Sequence, residues 1–209
     1  MSDLGTLPEG KTDSVQQIID AAAQCFMAKG PEKATIDDVA SLLGSTKGRV
    51  YHHFRSKNAI LIEVHNQAMQ SLSNTINPLI ARDIPADQKL LEMAVAHANV
   101  IMDTFPFQRS VRLSVDIYLL GSSTTEEREI MGKLIDARNQ YENLFRDVIR
   151  TGIEEGTLNV PDVAMATRAL LGALNGLGDW YRIRPDQSQE EREAIAQNLA
   201  DTVIHGIKA

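Results

Sequence analysis

Residues 44–58 read GSTKGRVYHHFRSKN. These fifteen residues hold Lys47, Arg49, Arg55 and Lys57 with two histidines and no carboxylate, in a chain whose formal net charge is -7. Gly44 can take the left-handed conformation that stops a helix, and Ser45 or Thr46 can cap the next one. The stretch therefore predicts a tight turn followed by a short helix ending near Phe54. Ser56 then caps a longer helix through Ile60, Leu61, Val64, Ala68 and Leu72 to about Arg82.

Upstream, Thr35 is suited to cap a helix with Asp37 and Asp38 near the positive end of its dipole, and Ile36, Val39, Ala40 and Leu43 form its apolar stripe. Val15, Ile18, Ile19, Ala22 and Phe26 fall on one stripe of a first helix over about 12–28, which Gly30-Pro31 ends. Three short helices, the last two joined across a glycine turn, match the helix-turn-helix pattern.

On the third helix, at about 100° per residue, Val50 and Phe54 point together as an anchor while Ser45, Gly48, Arg49 and His52 point away. Such a helix fits the major groove of DNA. Arg49 is placed to fork onto guanine O6 and N7, with Lys47, Tyr51 and His53 on phosphates. Gly48 lets backbone approach a partner closely, and the amide end of the helix begun by Ser56 and Lys57 suits a further phosphate. The competing reading of the basic cluster is a solvated helix face.

The totals agree with a packed globular chain. With 43% hydrophobic and 23% charged residues in 209, the chain has the composition of a globular protein. Residues 1–60 carry seven basic and seven acidic side chains, so the remaining fourteen and twenty-one leave the whole -7 on residues 61–209. An acidic body repels a polyanion and the basic window attracts one. Cys25 is the only cysteine, which excludes an intrachain disulfide and a four-cysteine zinc site. With no signal-like N-terminus and no run of about 20 apolar residues, a cytoplasmic protein without a membrane span is expected. No phosphate-cradling glycine loop, H-E-x-x-H or G-x-S-x-G occurs, and adjacent His52 and His53 diverge on a helix, so neither enzyme, cofactor nor metal is expected.

The run TIDDVASLLGSTKGRVYHHFRSKNAIL, 35–61, resembles the DNA-binding segment of the TetR family of bacterial transcriptional repressors. Thr35, Ala40, Gly44, Gly48, Tyr51, Phe54 and Lys57 stand where that family's pattern has the same residues, whereas Ser45, Leu43 and Asn58 depart from it. The resemblance implies phosphate contacts from Tyr51 and Lys57, and residues 45–49 with His52 and His53 facing the groove. The DNA-binding set is thus Thr35, Ser45, Thr46, Lys47, Gly48, Arg49, Tyr51, His52, His53, Ser56 and Lys57. The segment 139–182 also looks like family members that respond to acyl-CoA thioesters.

Helical spacing continues to the end of the chain and no strand pattern appears, which predicts an all-α fold of about nine helices. Residues 1–58 form the helix-turn-helix DNA-binding domain and 59–209 a helical ligand-binding and dimerisation domain. Helices are expected over about 87–103 and 107–120, from a Thr124–Glu127 capping box to Gly156, from Pro161 to about Tyr181, and over about 189–207 behind a Ser188–Glu191 capping box. Ala169, Gly172, Ala173 and Gly176, with Ile195, Leu199 and Val203 of the last helix, suit a symmetric homodimer through a four-helix bundle, or else packing within one subunit. Two reading helices roughly 34–36 Å apart would then meet a palindromic operator. Met69, Leu72, Met93, His97, Ile101, Phe105, Tyr118 and Trp180, with Arg109, Arg112 or Asn143 as polar anchors, are candidates to line a small-molecule effector pocket, against the plainer reading of ordinary core. Arg112 and Asp116 are spaced for a simple ion pair. The alternative in a different class is a helical protein-interaction module without a DNA role.

Overall fold

A computed structural model describes residues 9–120 and 125–206, with the side chains of 13–114, 128, 129 and 132–206. Among the described residues every regular element is a helix: α1 (Glu9–Lys29), α2 (Ile36–Leu42), α3 (Lys47–His53), α4 (Lys57–Ile80), α5 (Ala86–Asp103), α6 (Phe105–Leu120), α7 (Thr125–Glu155), α8 (Val163–Asn175), α9 (Leu177–Trp180) and α10 (Gln189–His205).

The small N-terminal helices are set by local chemistry. Thr35 accepts a hydrogen bond from the Asp38 amide while Asp38 accepts one from the Thr35 amide, a reciprocal cap that starts α2. At its end the Ser45 amide donates to the Ala40 carbonyl (2.9 Å) and the Gly44 amide to the Ser41 carbonyl (3.1 Å). This Schellman closure needs a left-handed residue, and Gly44 supplies it at φ 62°. Thr46, rather than Ser45, then caps α3, and Ser56 caps α4. Ile18, Ile19, Ala22 and Phe26 of α1, Val39 and Ala40 of α2, Val50 of α3, and Ile60, Leu61 and Val64 of α4 close one core.

A second core takes Leu72 and Ile76 from the same α4, then Met93, Ala94 and Ala98 of α5, Phe145 of α7, Leu170 and Leu174 of α8, and Ala196 and Ala200 of α10. One unbroken helix thus serves both cores. A residue-58 division falls at the second residue of α4, ahead of the turns that join the first core. A second tie runs from α6: buried Ser110 donates to the Ala23 carbonyl of α1 at 2.9 Å.

Several expected boundaries move. Phe105-Pro106-Phe107 is the first turn of α6 and only Thr104 interrupts the chain, because proline lacks only an amide that a helix start leaves unpaired anyway. Pro161 precedes the cap of α8; Asp162 does the capping by accepting from the Met165 amide at 3.0 Å. The expected single helix to Tyr181 breaks at Gly176 into α8 and the one-turn α9. Ser188 and Glu191 form the expected capping box of α10. The Thr124–Glu127 box lies outside the described residues. No helix among the described residues is long and apolar enough to cross a membrane.

Candidate nucleic-acid interface and body cavity

Helix α3 is anchored through fully buried Val50, and its opposite side is open. Thr46, Lys47, Gly48, Tyr51 and His52 are exposed, with Tyr51 at 48% despite its large ring. Around them Lys47 and Lys57 are already engaged. Lys47 Nζ donates to Asp37 Oδ2 at 2.9 Å, and Lys57 Nζ to the Glu32 carbonyl at 2.8 Å. Thr35 and Ser56 spend their hydroxyls on helix caps, and Ser45 is half-buried in the turn.

Arg49 departs most from expectation. Instead of extending outward, its guanidinium folds onto α1, where Nε and Nη2 donate to Ser14 Oγ (3.2 and 3.1 Å) and Nη2 to Gln17 Oε1 (2.8 Å). The cause is an unclaimed pair of acceptors one turn apart on α1, facing a strong donor. His53 Nε2 also reaches Ser14 Oγ, at 3.3 Å, so one serine gathers both side chains. Ser14 and Gln17 were not singled out in the sequence; their only signal is polar spacing beside the apolar stripe of α1.

Gly48 has an unusual place. A methyl group built there would meet nothing nearer than Thr46 Oγ1 at 3.8 Å, so no internal contact requires a glycine. Glycine inside a helix costs about 1 kcal/mol relative to alanine. The missing side chain leaves bare backbone on the exposed face between Tyr51 and His52.

In the body a cavity of about 500 Å³ lies among α4, α5, α6, α7 and α8. Of the expected lining residues, Met69, Leu72, His97, Ile101 and Arg112 border it. Met93 is fully buried in the core instead, and Phe105 packs edge-on against Tyr181 with ring centres 5.6 Å apart. Arg109 binds the Gly178 carbonyl and Asp179 of the α9 turn (2.9 and 2.7 Å), while Asn143 and Trp180 lie on the surface. Five residues of the expected lining, Met93, Phe105, Arg109, Asn143 and Trp180, are therefore not on the cavity wall, each being engaged in the core, in another contact or at the surface. The Tyr118 side chain lies outside those described. Arg112 pairs with Asp179 Oδ2 at 2.9 Å; the Asp116 side chain lies outside those described.

The lining residues missed in the sequence include Tyr141, Gln108, Arg138, Arg168 and Asn175. Tyr141 Oη lies 2.8 Å from His97 Nδ1, and Asn175 Oδ1 lies 3.3 Å from His97 Nε2. Burial pushes His97 down to about 4 and the Tyr141 phenol up, so near neutral pH the group is uncharged. Burial likewise raises the Cys25 thiol, which sits in the first core as an inert apolar residue.

On α8, Ala169 and Gly172 are exposed beside Met165 at 60% exposure, whereas Ala173 and Gly176 are half-buried. Ile195, Leu199 and Val203 pack half-buried against their own subunit's second core.

A reading helix held by a small core, joined through α4 to a larger body with a cavity, defines a helix-turn-helix regulator of transcription. The chain belongs to the TetR family: residues 18–64 match the family described as bacterial regulatory proteins, tetR family, and 83–207 match the tetracyclin repressor-like C-terminal domain. It is 24% identical over 199 residues to the HTH-type transcriptional repressor KstR2 of Rhodococcus jostii (strain RHA1), spanning 95% of this chain and 93% of that one. The crystal structure of the TetR family regulator PfmR from Thermus thermophilus superposes with a TM-score of 0.77 at 30% identity, covering 92% of this chain and 99% of that one. The fold also matches that of FadR from Bacillus subtilis, solved in complex with stearoyl-CoA, with a TM-score of 0.69 at 20% identity and coverage of 92% and 99%. The chain is accordingly a transcriptional repressor of the helix-turn-helix kind and not an enzyme, which also removes the DNA-free interaction module.

Proposed function

We propose that the chain works in the cytoplasm as a homodimer that binds a palindromic operator through α3 and is released when a small molecule, of the acyl-CoA class, enters the body cavity. The DNA-reading unit extends past residue 58 through the first turns of α4, whose Ile60, Leu61 and Val64 close its core, and the effector and dimerisation unit follows. Gly48 is the observation that carries the DNA contact. Nothing inside the protein needs its missing side chain, and it lies on the open face where close backbone approach to a duplex would need it. Thr46 and His52 face the bases. Lys47 and Tyr51 flank them toward phosphates, with Lys57 and the amide start of α4 beyond. Arg49 acts as a strut from α3 to α1 through Ser14 and Gln17.

The test is Gly48→Ala in a gel-shift assay beside thermal unfolding. Alanine should stabilise the free protein by up to about 1 kcal/mol while weakening operator binding at least tenfold. Unchanged operator affinity in a stabilised variant would refute the groove contact.

The switch has a physical route. Met69 and Leu72 of α4 and Gln108 of α6 border the cavity, while α4 enters the first core and α6 is bonded to α1 through Ser110. A ligand that binds better when these helices are displaced shifts the dimer away from the DNA-competent spacing. For the dimer, the exposed Met165–Ala169–Gly172 strip of α8 supports a paired face. Ala169→Arg should turn the dimer into a monomer by light scattering and abolish operator binding.

A further inference from the structure

The wall of the body cavity is graded in charge. Its deep end holds His97 and Tyr141, 1% and 5% exposed, in an uncharged hydrogen-bonded group with Asn175. Met69, Leu72, Ile101 and Leu171 add apolar surface. The outer end holds Arg138 of α7 and Arg168 of α8, both exposed. Among the described residues neither guanidinium makes a hydrogen bond or ion pair. The other charges on the wall are matched: Arg112 by Asp179 at 2.9 Å, and Glu142 by Arg146 at 2.5 Å.

Two cations facing one void, unmatched among the described residues, stand out in a body that carries fourteen basic and twenty-one acidic residues. An acidic surface offers carboxylates widely, and a guanidinium left without one is available to a ligand anion, with fork geometry suited to carboxylate or phosphate. Arg168, Leu171 and Asn175 recur at i, i+3 and i+7, so one face of α8 carries charge, apolar surface and amide in order along the wall. Gly172 is turned only about 40° from Arg168 around α8 and lines the same cavity, so Arg168 stands where the cavity wall meets the edge of the proposed dimerisation strip.

We propose that the cavity selects an amphipathic anion, its charged end held between Arg138 and Arg168 and its apolar body running inward along Met69, Leu72 and Ile101 to the His97–Tyr141–Asn175 group. The inference rests on the reading of this cavity as the effector site and names the ligand chemistry the wall accepts. The deep group admits no second charge: an ion there would be desolvated against neutral partners.

The experiment is isothermal titration of the full-length dimer with dodecanoate, dodecyl phosphate and dodecan-1-ol at low and moderate salt. Both anions should bind more tightly than the alcohol, and salt should weaken only the anions. An Arg138→Gln, Arg168→Gln double variant should lose about tenfold in anion affinity per guanidinium and keep the affinity for the alcohol. The Lys pair at the same positions should recover part of the loss. Loss confined to dodecanoate assigns a carboxylate head, and loss confined to dodecyl phosphate assigns a phosphorylated one. Because both side chains are exposed, the variants should unfold at the wild-type temperature. Equal binding of alcohol and anions by the wild type, full retention by the double variant, or no binding of any amphiphile would overturn the proposal. A gel-shift with the same probes separates the two readings: anion binding that leaves the operator complex intact keeps the inference and removes the effector role.

Discussion

Three cations at the DNA-reading end, Lys47, Arg49 and Lys57, and two at the cavity rim are treated in opposite ways. Near α3, Lys47 is paired with Asp37 at 2.9 Å, Arg49 is bonded to Ser14 and Gln17, and Lys57 is bonded to the Glu32 carbonyl. At the rim, Arg138 and Arg168 have no partner among the described residues. The Lys47–Asp37 pair is exposed on both sides, and such a pair contributes little and exchanges readily for a phosphate. Holding it in place orders a long side chain before DNA arrives, which reduces the entropy lost on binding. The rim arginines are not held in this way, so the proposed anion would have to order them on binding. Cations held by neighbouring side chains at one end, and cations without partners among the described residues at the other, are the two arrangements one chain contains.

The largest effect should come from separating the two cores. Phe26 and Phe145 are each fully buried, one in each core. Truncation of either to alanine should cost about 3–5 kcal/mol in urea unfolding. The consequences should differ: Phe26→Ala abolishes operator binding and leaves dodecanoate binding intact. Phe145→Ala removes the ring that packs edge-on against His97 at 6.1 Å between centres, so it loosens the cavity. If Phe26→Ala damages both activities equally, α4 makes the cores a single cooperative unit and the comparison fails.

A smaller effect joins the two ends through pH. Burial pushes His65, on α4 between the two cores, and His97 in the body down to about 4. In the unfolded chain both return to about 6.5. Between those values the unfolded state binds more protons, so stability is complete above about pH 6.5 and is lost as pH falls toward 4. Urea unfolding across that window should show a slope approaching two protons. His65 Nε2 has no hydrogen-bond partner, so His65→Leu should remove about half of the slope and raise stability at pH 5. A slope unchanged in that variant would place the titration elsewhere.

What could be read from the sequence divides along a physical line. Thr35, Ser56 and Ser188 identify themselves as caps because a cap bonds an amide three residues on, and Gly44 because its turn closes within six residues. Arg49 could not be placed this way: its acceptors lie 35 and 32 residues away, and only packing of α3 on α1 brings them near. Tyr141 could not be placed on a cavity wall either, since periodicity states which residues share a face and not which faces enclose a void. The same limit explains Trp180, apolar and exposed at 54%, and the Arg112–Asp179 pair, whose partners lie on different helices.

The smallest predicted effects compare two caps of identical design. Thr35 with Asp38 starts α2, and Ser188 with Glu191 starts α10. Either residue changed to alanine should cost about 1 kcal/mol, within reach of urea midpoints. The difference lies in what each helix supports. α2 carries Asp37, which positions Lys47, and its Schellman end sets the turn into α3, so Thr35→Ala should weaken operator binding several-fold beyond its stability cost. α10 lies against α5 and α8, away from the reading face, so Ser188→Ala should leave operator affinity unchanged when dimerisation is complete. Equal changes in operator affinity for the two variants would mean that cap strength reaches DNA only through overall stability, and the fixed geometry assigned to the reading end would have to be abandoned.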